Sequence, residues 1–78
     1  MLIQKGEINE WTIDDVAKWL EASGLAANAP YLTDAFLQGK VDGIVLLALT
    51  DEDLQDKFKI KSLGKRKNIL RAVNYLKA

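Results

Sequence analysis

The sequence predicts an all-α fold: a compact five-helix bundle with a long C-terminal helix. Apolar residues recur at three- and four-residue steps, as in Val16, Trp19 and Leu20 and again in Ile69, Leu70, Val73 and Leu76, which sets them on one side of a helix. A residue whose side chain can accept a hydrogen bond from free first-turn amides precedes each run: Thr12, Asn28, Asp42, Thr50 and Ser62. Strand signals are missing, since alternating apolar and polar residues never persist and β-branched residues are sparse. The 78 residues make one domain, because a chain of this length buries only about 60 to 65% of its unfolded surface and has no room for a second core.

Residues 1–10 show no period and are expected to form an N-terminal arm ahead of a domain over residues 11–78. Thr12, with Asp15 three positions on, has the spacing of a capping box. The helix it opens should close near Ser23-Gly24, where Gly can take the left-handed conformation, with Leu25 following as an anchor. Asn28 caps the second helix, and Pro30 is tolerated there because first-turn amides have no intrahelical partner. Tyr31, Leu32, Ala35 and Phe36 give this helix an apolar side and Gly39 stops it. Asp42 caps a short third helix through Ile44, Leu46, Leu47 and Leu49, which is apolar nearly all round and therefore expected to be buried. Thr50 with Asp53 caps a fourth, from about Asp51 to Lys57, with its acids at the end the helix dipole prefers. Phe58 and Ile60 reach back to the core before Ser62 caps the last helix. Trp11 and Trp19 sit in phase with other anchors of the first helix and belong to the core, while Tyr75 lies on the less apolar side of the last.

Composition excludes several classes of function. No run approaches the roughly 20 apolar residues that cross a bilayer, and no amphipathic helix joins basic charge to an exposed apolar stripe, so no membrane partner is expected. The segment from Met1 to Glu7 is too short and too polar for a secretory leader. Without cysteine the fold relies on neither disulfides nor thiolate-bound metal, and an intracellular location, cytoplasmic or nuclear, is expected. There is also no His, no glycine-rich phosphate loop and no pair of carboxylates flanked by other catalytic groups. The chain is accordingly not expected to be an enzyme, nor to use a cofactor, a metal or a small-molecule substrate.

Charge is sorted along this neutral chain. From Asp42 to Asp56 the charged residues are Asp42, Asp51, Glu52, Asp53 and Asp56; from Lys57 to Arg71 they are Lys57, Lys59, Lys61, Lys65, Arg66, Lys67 and Arg71. If the two blocks lie on different faces, copies attract one another head to tail. The acids have a second explanation, because carboxylates in a first turn cap the helix and contribute about 0.3 to 1 kcal/mol each. The cations are harder to explain locally. Lys65, Arg66 and Lys67 occupy the first turn of the last helix, where the dipole is already positive and each costs a comparable amount. Three cations, free first-turn amides and Gly64, which admits a close approach to the backbone, make an anion site for an acidic protein face or a phosphate. Leu63 has two readings, a first-turn residue folded into the core or an exposed apolar tip at the centre of an interface.

The ordered anchors Trp11-Thr12-x-Asp14-Asp15-Val16-x-x-Trp19-Leu20, Gly24-Leu25, Phe36, Val41-Asp42-Gly43, Leu46-Leu47-x-Leu49-Thr50, Asp53-Leu54, Ile60 and Leu63-Gly64-x-Arg66-x-x-Ile69-Leu70 resemble the sterile alpha motif (SAM) domain over about residues 11 to 77. Two segments depart from that pattern. Ala26-Ala27-Asn28-Ala29-Pro30 is a few residues longer than the usual connection, and Phe58-Lys59 replaces the usual Leu-Gly before Ile60.

The resemblance implies a protein-protein interaction module within a longer protein, whose partner is another SAM domain of the same or a different protein. It implies two unlike surfaces: a mid-loop face with Gln38, Asp42, Asp51, Glu52, Asp53 and Asp56, and an end-helix face with Lys61, Leu63, Gly64, Lys65, Lys67 and Asn68. Lys40 is a positive charge beside the acidic face. Homotypic use of both faces gives an oligomer or, unless the rotation closes a ring, an open polymer. The alternative is RNA-hairpin binding, since Leu63 to Leu70 is similar to the Leu-Gly-Ala-Arg motif of a smaller SAM branch, with Lys65 in place of its Ala and Asn68 where a Lys is often found. RNA is the less favoured partner, because phosphate binding goes with a net basic domain and this chain is neutral with a strongly acidic neighbouring segment.

Overall fold

Five α-helices follow a short 3-10 turn in the computed structural model, which describes residues 7–27 and 30–77. The turn is Ile8–Glu10; the helices are α1 (Ile13–Ala22), α2 (Tyr31–Gln38), α3 (Gly43–Ala48), α4 (Asp51–Asp56) and the long α5 (Leu63–Lys77). Their starts follow local hydrogen bonding. The Asp15 amide donates to Thr12 Oγ1 at 3.1 Å and the Thr12 amide to Asp15 Oδ2 at 2.9 Å, closing a capping box. Thr50 and Asp53 repeat it at 3.1 and 3.2 Å. Asp42 Oδ1 accepts from the Val45 amide at 3.0 Å, and Ser62 Oγ from the Lys65 amide at 3.3 Å. Asn28, expected to cap α2, lies outside the described residues, and Pro30 takes the position before α2 with no side-chain cap.

The helix ends are less regular. Gly24 closes the turn after α1 with φ 81°, as its sequence position suggests. After α2 the left-handed residue is Lys40 (φ 55°) and not the neighbouring Gly39. The Val41 amide donates to the Phe36 carbonyl at 3.0 Å and the Lys40 amide to that of Leu37 at 3.1 Å, so α2 ends in a Schellman closure built on a lysine. Lys59 (φ 59°) stands where the SAM pattern has Gly. The left-handed turn is kept without it, at a cost of about 1 to 2 kcal/mol, and the Ile60 amide still reaches the Leu54 carbonyl at 3.0 Å.

The core draws on every helix: Val16 and Leu20 of α1, Leu32 and Phe36 of α2, Leu46 of α3, Leu54 of α4 and Val73 of α5 are fully enclosed, together with Val41 and Ile60 from the connections. Trp11 is buried with them, and Trp19 packs at the edge with its ring 6.5 Å from that of Trp11. Phe58 covers Phe36 at 5.1 Å between ring centroids. The expectation that α3 is buried all round is not met. Leu46 points inward, but Ile44 is 62% exposed and Val45 40%. Six residues make under two turns, and the 3-10 turn, α1 and α5 contact α3 without enclosing it.

Two close contacts hold the periphery. The Gly43 amide donates to the Trp11 carbonyl at 3.0 Å, and a Cβ at Gly43 would overlap the Ile8 carbonyl oxygen, so only glycine lets the 3-10 turn lie on α3. Arg66, expected among the first-turn cations of an anion site, is instead buried. Its Nε donates to Asp51 Oδ1 at 2.8 Å, and its Nη1 donates to the carbonyls of Ile60 at 2.8 Å and Lys61 at 3.0 Å. The guanidinium thus clasps the start of α4 and the 60–61 connection to the start of α5.

Gly43→Ala should destabilise the domain by about 1 to 3 kcal/mol, the cost of overpacking, and should red-shift tryptophan emission as the segment carrying Trp11 is pushed outward. An unchanged melting temperature would show that the 3-10 turn does not need its seat on α3. Arg66→Met should cost about 2 to 4 kcal/mol, because it orphans two carbonyls and a carboxylate together. Arg66→Lys should recover only part of that loss in thermal unfolding, since an ammonium lacks the fork that serves three acceptors.

Candidate functional site

The six residues of the expected mid-loop face do not share one situation. Asp42 is half-buried and holds the α3 amide of Val45; Asp53 is half-buried, holds the Thr50 amide and lies 3.7 Å from Lys57 Nζ; Asp51 accepts from Arg66. These three carboxylates are used inside the domain. Glu52 and Asp56, one helical turn apart on α4, are exposed and make no ion pair among the described residues. Gln38 is exposed at the end of α2.

Between the ends of α2 and α4 and the side of α3 runs an open groove of about 500 Å³, lined among others by Gln38, Val45, Leu49, Asp53 and Phe58. Lys57 and Lys59 line it too. In sequence the charge changes sign between Asp56 and Lys57, but in space these two lysines belong with the mid-loop elements, so the boundary falls between Lys59 and Lys61. The apolar members were not legible as site residues: Val45 in the groove, and Leu37 and Ile44 exposed on the flanking helices at 38% and 62%. The signal was present in Gly43-Ile44-Val45-Leu46-Leu47-Ala48, an apolar run with more side chains than a single packed face of a short helix can bury.

The expected end-helix residues are all exposed. Lys61, Lys65 and Lys67 form no ion pair among the described residues, so the charge left at this end is plus three without Arg66. Of the two readings of Leu63 the structure supports the exposed one, with 53% of its surface accessible. Gly64 lies in the first turn of α5 with a negative φ and open space where a Cβ would be, apart from Ser62 Oγ at 3.9 Å. Nothing inside the domain calls for a glycine there. Asn68 Oδ1 accepts from Arg71 Nη1 at 3.3 Å, and Asn68 and Lys65 border a cavity of about 150 Å³ beside Tyr31 and Leu25. Tyr75 is 84% exposed.

No group of three or more His, Cys, Asp or Glu among the described residues could hold a metal ion, and no described helix is long and apolar enough to cross a membrane. At the start of α5 an exposed apolar side chain is flanked in sequence by unspent cations, and the segment from α2 to α4 carries exposed apolar side chains and free carboxylates.

Comparison with known proteins agrees with the fold. The SAM (sterile alpha motif) domain family matches over residues 9–77. The chain is 45% identical over 69 residues to Sphingomyelin synthase-related 1 of Caenorhabditis elegans, which covers 87% of this chain and 14% of that protein. It is 40% identical over 68 residues to the human WD repeat, SAM and U-box domain-containing protein 1, covering 87% of this chain and 13% of that one. With the human SH3 and multiple ankyrin repeat domains protein 1 it shares 43% identity over 65 residues, 83% of this chain and 3% of the other. The chain therefore spans about one seventh or less of these relatives. Its helices and ordered anchors fall within the matched region, and the chain belongs to the sterile alpha motif family of protein-interaction modules.

Proposed function

We propose that this domain associates head to tail with SAM domains, its basic end-helix surface meeting an acidic mid-loop surface on the next. The observation that carries this reading is the start of α5. Leu63 is exposed, Lys61, Lys65 and Lys67 surround it in sequence without internal partners, and Gly64 leaves the backbone open. An apolar residue ringed by charge is the composition of an interface centre with its rim. On the opposing surface Glu52 and Asp56 supply the free carboxylates, and Val45 and Leu37 supply apolar surface. Both patches on one chain make self-association heterologous, and an open helical polymer results unless the rotation closes a ring. A hetero-pairing domain would use one of the two faces. RNA loses support on this reading, because the Arg of the Leu-Gly-x-Arg segment is committed to Asp51 and two carbonyls.

Charge reversal tests the pairing without disturbing the caps. Asp53 would be a poor choice because it closes the α4 capping box, whereas Asp56 is free. Lys65→Glu places a carboxylate three residues after Ser62, the spacing of a capping box, and should fold at least as well as the parent. Asp56→Lys and Lys65→Glu should each sediment as monomers alone and pair when mixed. If both remain as associated as the parent, the head-to-tail reading is wrong. Gly64→Ala separates function from stability. It should raise the melting temperature slightly, by up to about 1 kcal/mol of helix propensity, yet weaken association by filling the open approach. A variant that is more stable and associates normally would remove Gly64 from the interface.

A further inference from the structure

We infer that Ser62 is a phosphorylation site and that its phosphate switches off the basic surface at the start of α5. The inference rests on the end-helix reading above for its consequence, but not for the site itself. Ser62 is exposed and ends the 57–62 connection, which is outside any helix. Its Oγ accepts from the Lys65 amide at 3.3 Å, and among the described residues its hydroxyl proton is given to no acceptor.

The surrounding charge singles this hydroxyl out. Within five residues on either side stand Lys57, Lys59, Lys61, Lys65, Arg66 and Lys67, and no Asp or Glu. The other four serine and threonine residues, Thr12, Ser23, Thr33 and Thr50, each have a carboxylate within two residues. Kinases discriminate substrates by such charge patterns, and an acidic substrate groove would accept Lys59 and Lys61, three and one residues before Ser62, while rejecting the other four. A serine kinase with ATP supplies the step. The Ser62 hydroxyl gives its proton to the kinase base, its oxygen bonds the γ-phosphorus, and the bond from that phosphorus to the bridging oxygen of the departing ADP breaks.

The product would be held where it forms. A phosphate carries about −1.5 to −2 charges and is stabilised at a helix N-terminus, here with Lys61, Lys65 and Lys67 close in sequence. The domain would stay folded while the surface falls from plus three to about plus one. An acidic partner would then lose the attraction that orients it.

The full 78-residue protein treated with a basophilic serine kinase and Mg-ATP tests this, beside Ser62→Asn, which keeps a capping side chain and offers no hydroxyl. One phosphate should map to Ser62 by fragment mass spectrometry, and Ser62→Asn should take up none. The phosphorylated protein should melt no lower than the parent, leave a heparin column at lower salt and self-associate at least about tenfold more weakly in sedimentation. Incorporation elsewhere, no incorporation, unchanged heparin retention or a lowered melting temperature would overturn the inference. So would reduced retention with unaltered self-association in a protein that does self-associate. Phosphate on Ser62 with reduced retention in a protein that was monomeric from the start supports the switch and overturns the head-to-tail reading instead.

Discussion

The clasp made by Arg66 is the interaction on which the placement of both surfaces depends. α4 and α5 are joined by only a short connection, and three contacts from one guanidinium set the angle between them: Asp51 at the start of α4, and the carbonyls of Ile60 and Lys61 in the connection. A buried cation is tolerable because each hydrogen bond it makes is charge-assisted and its one counter-charge is half exposed to water. The same contacts leave Leu63 and Gly64 on the outside of the first turn. If Arg66 faced solvent, the carbonyls of Ile60 and Lys61 would need other donors, and only apolar packing and the Ile60 amide bond to the Leu54 carbonyl would hold the start of α5 to α4.

Charge in this domain divides into spent and unspent. Asp42 and Asp53 hold amides, Asp51 holds Arg66, and Lys57 pairs with Asp53 one helical turn away. Glu52, Asp56, Lys61, Lys65 and Lys67 serve no such internal purpose among the described residues. Cations at the positive end of a helix raise the free energy of the monomer, so their presence at α5 is consistent with a use outside it. The lysines at left-handed positions, Lys40 and Lys59, carry a similar local penalty at the ends of α2 and α4. Lys59 borders the mid-loop groove, so this surface is mixed in sign rather than uniformly acidic.

Most of the architecture was legible because it rests on rules that span four residues. Thr12 with Asp15, Thr50 with Asp53, Asp42 and Ser62 announce helix starts by spacing alone, and the structure places a hydrogen bond at each. The stripe from Ile69 to Leu76 faces the core for the same reason. What local spacing could not show was direction or distant pairing. Apolar content says that α3 has surface to bury, not which of its side chains find a neighbour, and Ile44 and Val45 found none large enough to cover them. Arg66 read as one cation among three because its carboxylate partner lies 15 residues away.

By itself, then, the sequence determined the helices, the caps at Thr12, Asp42, Thr50 and Ser62, the helix order and the family, because amide capping and helical periodicity act over a turn or two of chain. The tertiary structure alone decided which charges remain free. Packing α5 against α4 drew Arg66 inward and consumed Asp51, carried Lys57 and Lys59 to the groove side, and left Leu63 and three lysines facing water. Residues far apart in the chain compete for the same partners only once the core brings them together, and that competition sets what each end of the molecule can still bind.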